Sequence, residues 1–394
     1  MKFAKRMEKF ESNELLDLMQ LAENPDVISF AGGFPAPELF PLDELIKVSA
    51  KVLCEENRGA LQYSSTSGFK PLRDKIAVRM NKRTGRNLDG EDILITSGSQ
   101  QALDMSGMVF LDEGDVIFCE RPSYLGAMNA FNSYYPEYVE IETDDEGMVI
   151  SDLKEKLVEY KDKLRMIYVI PDFQNPTSRC WSKERRIQFL EALEGYEIPV
   201  IEDGAYSEVR FEGEPEPSLF ALDDKDKVIY LGSFSKIFCP GFRVAWLAAS
   251  REIISKYLAL KPGVDLSSSS VSQRYIDQYL EDFDIDVHIK RTLESYKEKR
   301  DFVIQKMKEE FPKEVKYNIP KGGLFFWLVL PEDKSAKDLL QLALKENVAF
   351  VPGGSFFPNK KMENTIRMNF SNMTLDKLDV GLTRLGKVLK DFLF

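Results

Sequence analysis

The sequence is poor in the residues on which zinc and triad chemistry depend. His288 is its only histidine, and its four cysteines, Cys54, Cys119, Cys180 and Cys239, stand apart with no CxxC pair. This argues against the usual zinc ligand sets and against a histidine-dependent nucleophile, and it fits a reducing cytosol. No apolar run approaches the roughly 18 residues of a membrane-spanning helix. The opening residues MKFAKRMEKF are charged and amphipathic, without the apolar stretch of a secretory leader, so a cytoplasmic protein is expected. Basic charge is also in short supply. The 53 basic and 65 acidic side chains leave a net charge of −12, which makes nucleic acid or an anionic membrane an unsuitable partner. Any anionic ligand must then be held by local groups. There is no repeat of fixed period and no low-complexity segment.

What remains is an ordinary globular composition, 43% apolar and 30% charged, in a chain of 394 residues that is too long for one small core. Between about residues 90 and 250, short β-rich runs alternate with amphipathic stretches, the pattern of an α/β domain with a largely parallel sheet. Seven strands are expected, at Asp92–Thr96, Asp115–Cys119, Glu137–Ile141, Met166–Ile170, Pro199–Glu202, Lys227–Leu231 and Arg243–Ala248. Helices are expected at Ser99–Val109 and Lys183–Leu193, and a long connecting helix at Asp286–Glu310. A smaller C-terminal α/β pattern follows, with strands at Gly323–Val329 and Thr365–Phe370 and helices at Ala336–Glu346 and Leu375–Phe392. The expected division is an N-terminal segment, 1–44, a large domain, 45–285, and a small domain, 286–394. Within the first, Ile28–Pro35 reads as an ordered loop, because Gly32 and Gly33 allow close backbone approach. Ser267–Ser270 reads as a loop.

Chemistry concentrates after three of the expected strands. Val228–Leu231 leads into Ser233-Phe234-Ser235-Lys236, with Arg243 seven positions beyond the lysine. In a parallel α/β sheet ligands gather at the carboxyl ends of the strands, where this turn falls. Two hydroxyls and a guanidinium there suit a phosphate, and the lysine amine suits attack on a carbonyl. Taken alone, a serine-rich turn with one lysine is a solvated loop. Its neighbours alter that reading: Pro199–Glu202 runs into Asp203 and then Tyr206, and Ile167–Ile170 runs into Pro171-Asp172-Phe173-Gln174-Asn175-Pro176-Thr177.

Together these strand ends resemble the fold-type I pyridoxal-phosphate enzymes, specifically the class I/II aminotransferases, over nearly the whole chain. Ser29–Gly33, Pro35–Pro41 and Gly98–Leu103 resemble the branch that contains 2-aminoadipate and kynurenine aminotransferases. The resemblance implies an aspartate aminotransferase-like fold, a homodimer and pyridoxal 5′-phosphate in Schiff-base linkage to Lys236. It implies Asp203 as the partner of the ring nitrogen, Asn175 and Tyr206 as hydrogen-bond partners of the phenolate oxygen, and Tyr124 as the ring's stacking partner. Phosphate falls to Ser233, Ser235, Arg243 and the backbone amides of Ser99 and Gln100 at a helix start, with Tyr63 reaching it from the neighbouring subunit. The substrate α-carboxylate falls to Arg367, helped by Asn175 and Gly33. The implied reaction moves an amino group from an aromatic, branched-chain or 2-aminoadipate-like L-amino acid to a 2-oxoacid such as 2-oxoglutarate.

Two positions depart from the family pattern. Asn13 stands where acid-accepting relatives carry an arginine, which puts an acidic donor in doubt, and Ser178 stands where a glycine is usual. A lyase or decarboxylase on the same cofactor is the alternative chemistry. A cofactor-sensing regulator is the non-catalytic alternative, disfavoured by the charge of −12 and by the lack of a preceding winged-helix segment.

Overall fold

The computed structural model describes residues 1–10, 26–55, 57–359 and 361–394. Asn13 lies outside the described residues. Seven strands form the central sheet: β1 (Ile93–Thr96), β2 (Val116–Glu120), β3 (Glu137–Ile141), β4 (Leu164–Val169), β5 (Val200–Asp203), β6 (Val228–Ser233) and β7 (Ala245–Ala248). Their order is β1-β7-β6-β5-β4-β2-β3, with β7 antiparallel to both neighbours and the other pairs parallel. β1, β2, β5, β6 and β7 are buried along their whole length, as expected when helices cover both faces of a sheet.

All seven expected strands are present, with ends shifted by a residue or two. One two-residue shift has a plain cause: β7, expected from Arg243, begins at Ala245 because Arg243 itself adopts a left-handed backbone (φ 53°) that no strand accommodates. The helices Ser99–Phe110, Lys183–Ala192 and Ile285–Glu310 are where the sequence placed them. The serine run Ser267–Ser270 divides: Ser270 begins the helix Ser270–Asp282, and Ser269 caps it by accepting from the Ser272 amide.

A second, antiparallel sheet belongs to the C-terminal part: β8 (Lys316–Tyr317), β9 (Phe325–Val329), β10 (Val351–Pro352) and β11 (Thr365–Asn369), in the order β8-β9-β11-β10. The helices Ala336–Lys345 and Leu375–Leu393 accompany it. The segment expected as a loop over Ile28–Pro35 begins with a short strand pairing, Ile28–Ser29 lying parallel to Val348–Ala349. From there the segment crosses toward the large sheet, held by the Asn369 amide donating to Phe30 O and the Ala36 amide donating to Tyr296 Oη.

Strand direction sets the site. β1, β2, β4, β5 and β6 all run the same way, so the turns after them share one edge, and antiparallel β7 starts at that edge. Among the described residues no helix is long and apolar enough to cross a membrane.

Candidate active site

A cavity of about 360 Å3 opens at that edge. It gathers the turn after β1 (Ser99, Gln100), the turn after β2 (Tyr124), the turn after β4 (Asn175), the end of β5 with its turn (Asp203, Tyr206), the end of β6 with its turn (Ser233, Ser235, Lys236), and Arg243 ahead of β7. Arg367 comes in from β11, and Gly33 from the N-terminal segment. Every site residue expected from the sequence lines this cavity except Tyr63, which is 81% exposed on the surface and apart from it.

Lys236 Nζ donates to Gly33 O at 2.9 Å and lies 5.9 Å from the centre of the Tyr206 ring. Burial, reinforced by the positive charges of Arg243 and Arg367 and opposed by Asp203, lowers its pKa to about 8. An amine so placed is in part neutral near physiological pH and can act as a nucleophile or a base. Asp203, only 4% exposed, accepts from Tyr168 Oη at 2.9 Å and from the Ala205 amide at 3.2 Å. Burial raises its pKa, and among the described residues no cation pairs with it. A cationic ligand atom beside it would relieve that desolvation.

Arg367 is 5% exposed. Its Nη1 donates to Asn175 Oδ1 at 3.0 Å and its Nη2 to Ala31 O at 2.6 Å, while Nε is buried without a partner. The rings of Phe325 and Phe356 sit 4.4 and 5.1 Å from the guanidinium carbon, and no described carboxylate pairs with it. Burial lowers its pKa to about 10, because desolvation falls on a charge that no protein anion offsets.

The turn after β1 fits an anion. Gly98, at φ 79° and preceding the helix Ser99–Phe110, leaves room for Arg243: a Cβ at Gly98 would stand 2.1 Å from Arg243 Nη2. The helix start has no side-chain cap, and the buried Ser99 Oγ has no partner. Ser233 Oγ accepts from the Ser235 amide at 3.1 Å, which holds both serines toward the same space. Tyr124 rests its ring over Gly126, where a side chain would collide with it. These orphaned donors, the open helix start and the unpaired Asp203 and Arg367 fit a planar cationic ring bearing a phosphate, with a carboxylate bound beside it. Among the described residues no cluster of His, Cys, Asp and Glu fits a metal ion.

Sequence reasoning missed three side chains. Tyr168 reaches Asp203 from the neighbouring strand, and Phe325 on β9 and Phe356 in the turn Gly353–Phe356 enclose Arg367; each depends on which elements lie side by side, which one sequence does not display. Ser178, in place of the usual glycine, keeps the left-handed backbone (φ 54°) and donates Oγ to Phe325 O at 2.8 Å.

The family model for aminotransferase class I and II matches residues 25–385. An aromatic-amino-acid aminotransferase of Thermococcus litoralis is 41% identical over 99% of this chain and 94% of its own length. Among solved structures, the kynurenine aminotransferase of Pyrococcus horikoshii, in complex with PMP, superposes with a TM-score of 0.95 at 39% identity, covering 100% of this chain and 98% of that one. The alpha-aminoadipate aminotransferase of Thermus thermophilus, complexed with N-(5′-phosphopyridoxyl)-L-leucine, gives a TM-score of 0.92 at 39% identity over 99% and 98% of the two chains. The chain belongs to the class I and II aminotransferases and is a pyridoxal-phosphate-dependent transaminase.

Proposed function

We propose that the chain moves the amino group of an aromatic, branched-chain or 2-aminoadipate-like L-amino acid to a 2-oxoacid, 2-oxoglutarate foremost, in the cavity around Lys236. The observation that carries this reading is the state of the cavity's charges. Arg367 and Asp203 are both buried, and among the described residues neither has an ion-pair partner. One calls for a carboxylate and the other for a cationic nitrogen.

In this reading Lys236 is the covalent attachment point of pyridoxal phosphate. Asp203 partners the ring nitrogen, Asn175 and Tyr206 the phenolate oxygen, and Tyr124 the ring face. Ser233, Ser235, Arg243 and the amides of Ser99 and Gln100 take the phosphate. When bound, the cofactor supplies a conjugated ring that accepts the electron pair left when a bond to the substrate Cα breaks.

The chain's own residues do the rest. Arg367 grips the α-carboxylate as a fork, with Asn175 and Gly33 beside it, and so fixes the direction of the Cα–H bond. Lys236, as a free amine, would take the Cα proton, and its lowered pKa suits it to hold and return that proton. The cavity is also lined by Phe34, Leu103, Leu125, Val351 and Phe356, apolar surface that suits an aromatic or branched-chain side chain.

The proposal includes a cytoplasmic homodimer in which Tyr63 serves the neighbouring copy's phosphate, and the division into 1–44, 45–285 and 286–394. Profiling of amino donors by half-reaction absorbance, with Lys236→Ala as control, tests it. Cofactor that binds but is never converted to its amine form by any donor would reject transamination.

A further inference from the structure

Beneath the turn after β1 lies a polar network around the buried Lys261 that the proposed reaction does not use. Lys261, fully buried near the end of the helix Arg251–Val264, donates to Asp265 Oδ1 and Oδ2 at 2.7 and 2.9 Å, to Gln101 Oε1 at 3.1 Å and to Ser268 Oγ at 3.1 Å. Asp265 Oδ2 in turn accepts from Gln101 Nε2 at 2.7 Å and from Ser97 Oγ at 3.2 Å. The Ser97 amide closes the circuit on Gln101 Oε1 at 2.8 Å.

Ser97 and Gln101 flank Gly98, Ser99 and Gln100, so both ends of the turn are tied to one ion pair. The cost of burying a lysine here is offset by an anion and neutral acceptors, and its orientation fixes Gln101. Gln101 points away from the cavity and does not line it, in contrast with Gln100. The serine run supplies the outer wall: Ser268 O accepts from Gln273 Nε2 at 3.0 Å, and Gln273 Oε1 accepts from the Phe69 amide at 2.7 Å.

We propose that Lys261 and Asp265 are positioning residues for cofactor binding: acting through Ser97 and Gln101, they hold the Gly98–Gln100 turn in the form that receives the cofactor's phosphate. The inference rests on the assignment of that turn to phosphate. Without the pair, the turn loses the hydrogen bonds that fix Ser97 and Gln101 at its two ends, while Lys236, Asp203 and Tyr206, after other strands, keep their places.

The test compares two probes, pyridoxal phosphate and pyridoxal, by the Schiff-base absorbance each produces on the apoprotein. Asp265→Asn and Gln101→Met are each expected to weaken pyridoxal phosphate about tenfold, the scale of a lost hydrogen bond to a charged group, and to leave pyridoxal within about twofold. Gln101→Met leaves the ion pair intact and serves if Asp265→Asn does not fold. Equal loss for both probes, or no loss for either, overturns the proposal. A wild-type protein that itself does not prefer the phosphate-bearing probe overturns the assignment of the turn instead.

Discussion

The groove between the helix Lys70–Thr84 and residues 207–218 is more than twice the size of the cavity at Lys236, about 860 against 360 Å3, and it holds more charge. Its charges are matched. Arg79 pairs with Asp286 at 2.7 Å and with Glu208, Arg83 with Glu208 at 2.6 Å, Lys75 with Asp277 at 3.0 Å, and Arg210 with Asp172 at 3.5 Å. The cavity is lined by three cations, Lys236, Arg243 and Arg367, against one carboxylate, Asp203, with no ion pair among them. In a chain of net charge −12 that local excess is a cost unless a ligand relieves it. Unmatched charge, buried at Asp203 and Arg367, therefore marks the proposed site better than volume does.

The sharpest way to break this comparison is to disturb both places. Lys236→Ala is expected to lower kcat by at least ~10³-fold, because the site would lose both its proposed attachment point and its proposed base. Arg83→Ala in the groove is expected to leave kcat/KM within about twofold, since a partly exposed ion pair contributes little. Comparable losses in the two variants would remove the distinction.

A smaller effect is expected when the unmatched charge is kept and its shape is changed. Arg367→Lys retains the cation but loses the fork, and KM for the amino donor should rise about 10–100-fold with a lesser fall in kcat. Steady-state kinetics on a good donor settles this. An unchanged KM would remove Arg367 from carboxylate binding.

The cavity's charge also predicts a pH dependence and a stability cost. In its proposed role Lys236 would react as the neutral amine, and its pKa is lowered to about 8, so capture of pyridoxal by the apoprotein should quicken as pH rises toward 8 and level off above it. For a lysine whose pKa is depressed by folding, the protonated form destabilises the fold. That cost is present in full below about pH 8 and fades as pH rises toward the unfolded value of 10.5. Lys236→Met should therefore raise the apoprotein's Tm at pH 7 by roughly 1–3 °C, and by less at pH 9. A lowered Tm at pH 7 would show that the bond to Gly33 O outweighs the desolvation.

These contrasts also explain what could be read in the sequence. Lys236, Asp203 and Asn175 each follow a strand whose apolar run is plain, and parallel strands bring their ends to one edge, so locating the strands was nearly enough to locate the site. Strand order carries the remainder. Tyr168 became relevant only because β4 lies against β5, and Phe325 only because β9 pairs with β11, Trp327 facing Arg367. Lys261 and Asp265 lie more than 150 residues from the turn they support, and nothing in their local pattern points to it. Tyr63 is singled out by the family resemblance alone, and its proposed role requires a second chain.

The smallest expected effect is at Ser178. Its left-handed backbone costs a non-glycine residue roughly 1–2 kcal/mol, and its Oγ bond to Phe325 O returns about 1 kcal/mol. Ser178→Gly removes both terms, so stability by calorimetry should move by no more than about 1 kcal/mol. The consequence for function is more informative. That bond ties the turn carrying Asn175 to β9, and β9 is paired to the strand that carries Arg367. With it gone, the Asn175–Arg367 contact loses one of its supports, and KM for the donor should rise about twofold with kcat unchanged. A loss of stability above ~2 kcal/mol would mean that the serine, not the backbone conformation, dominates at this position.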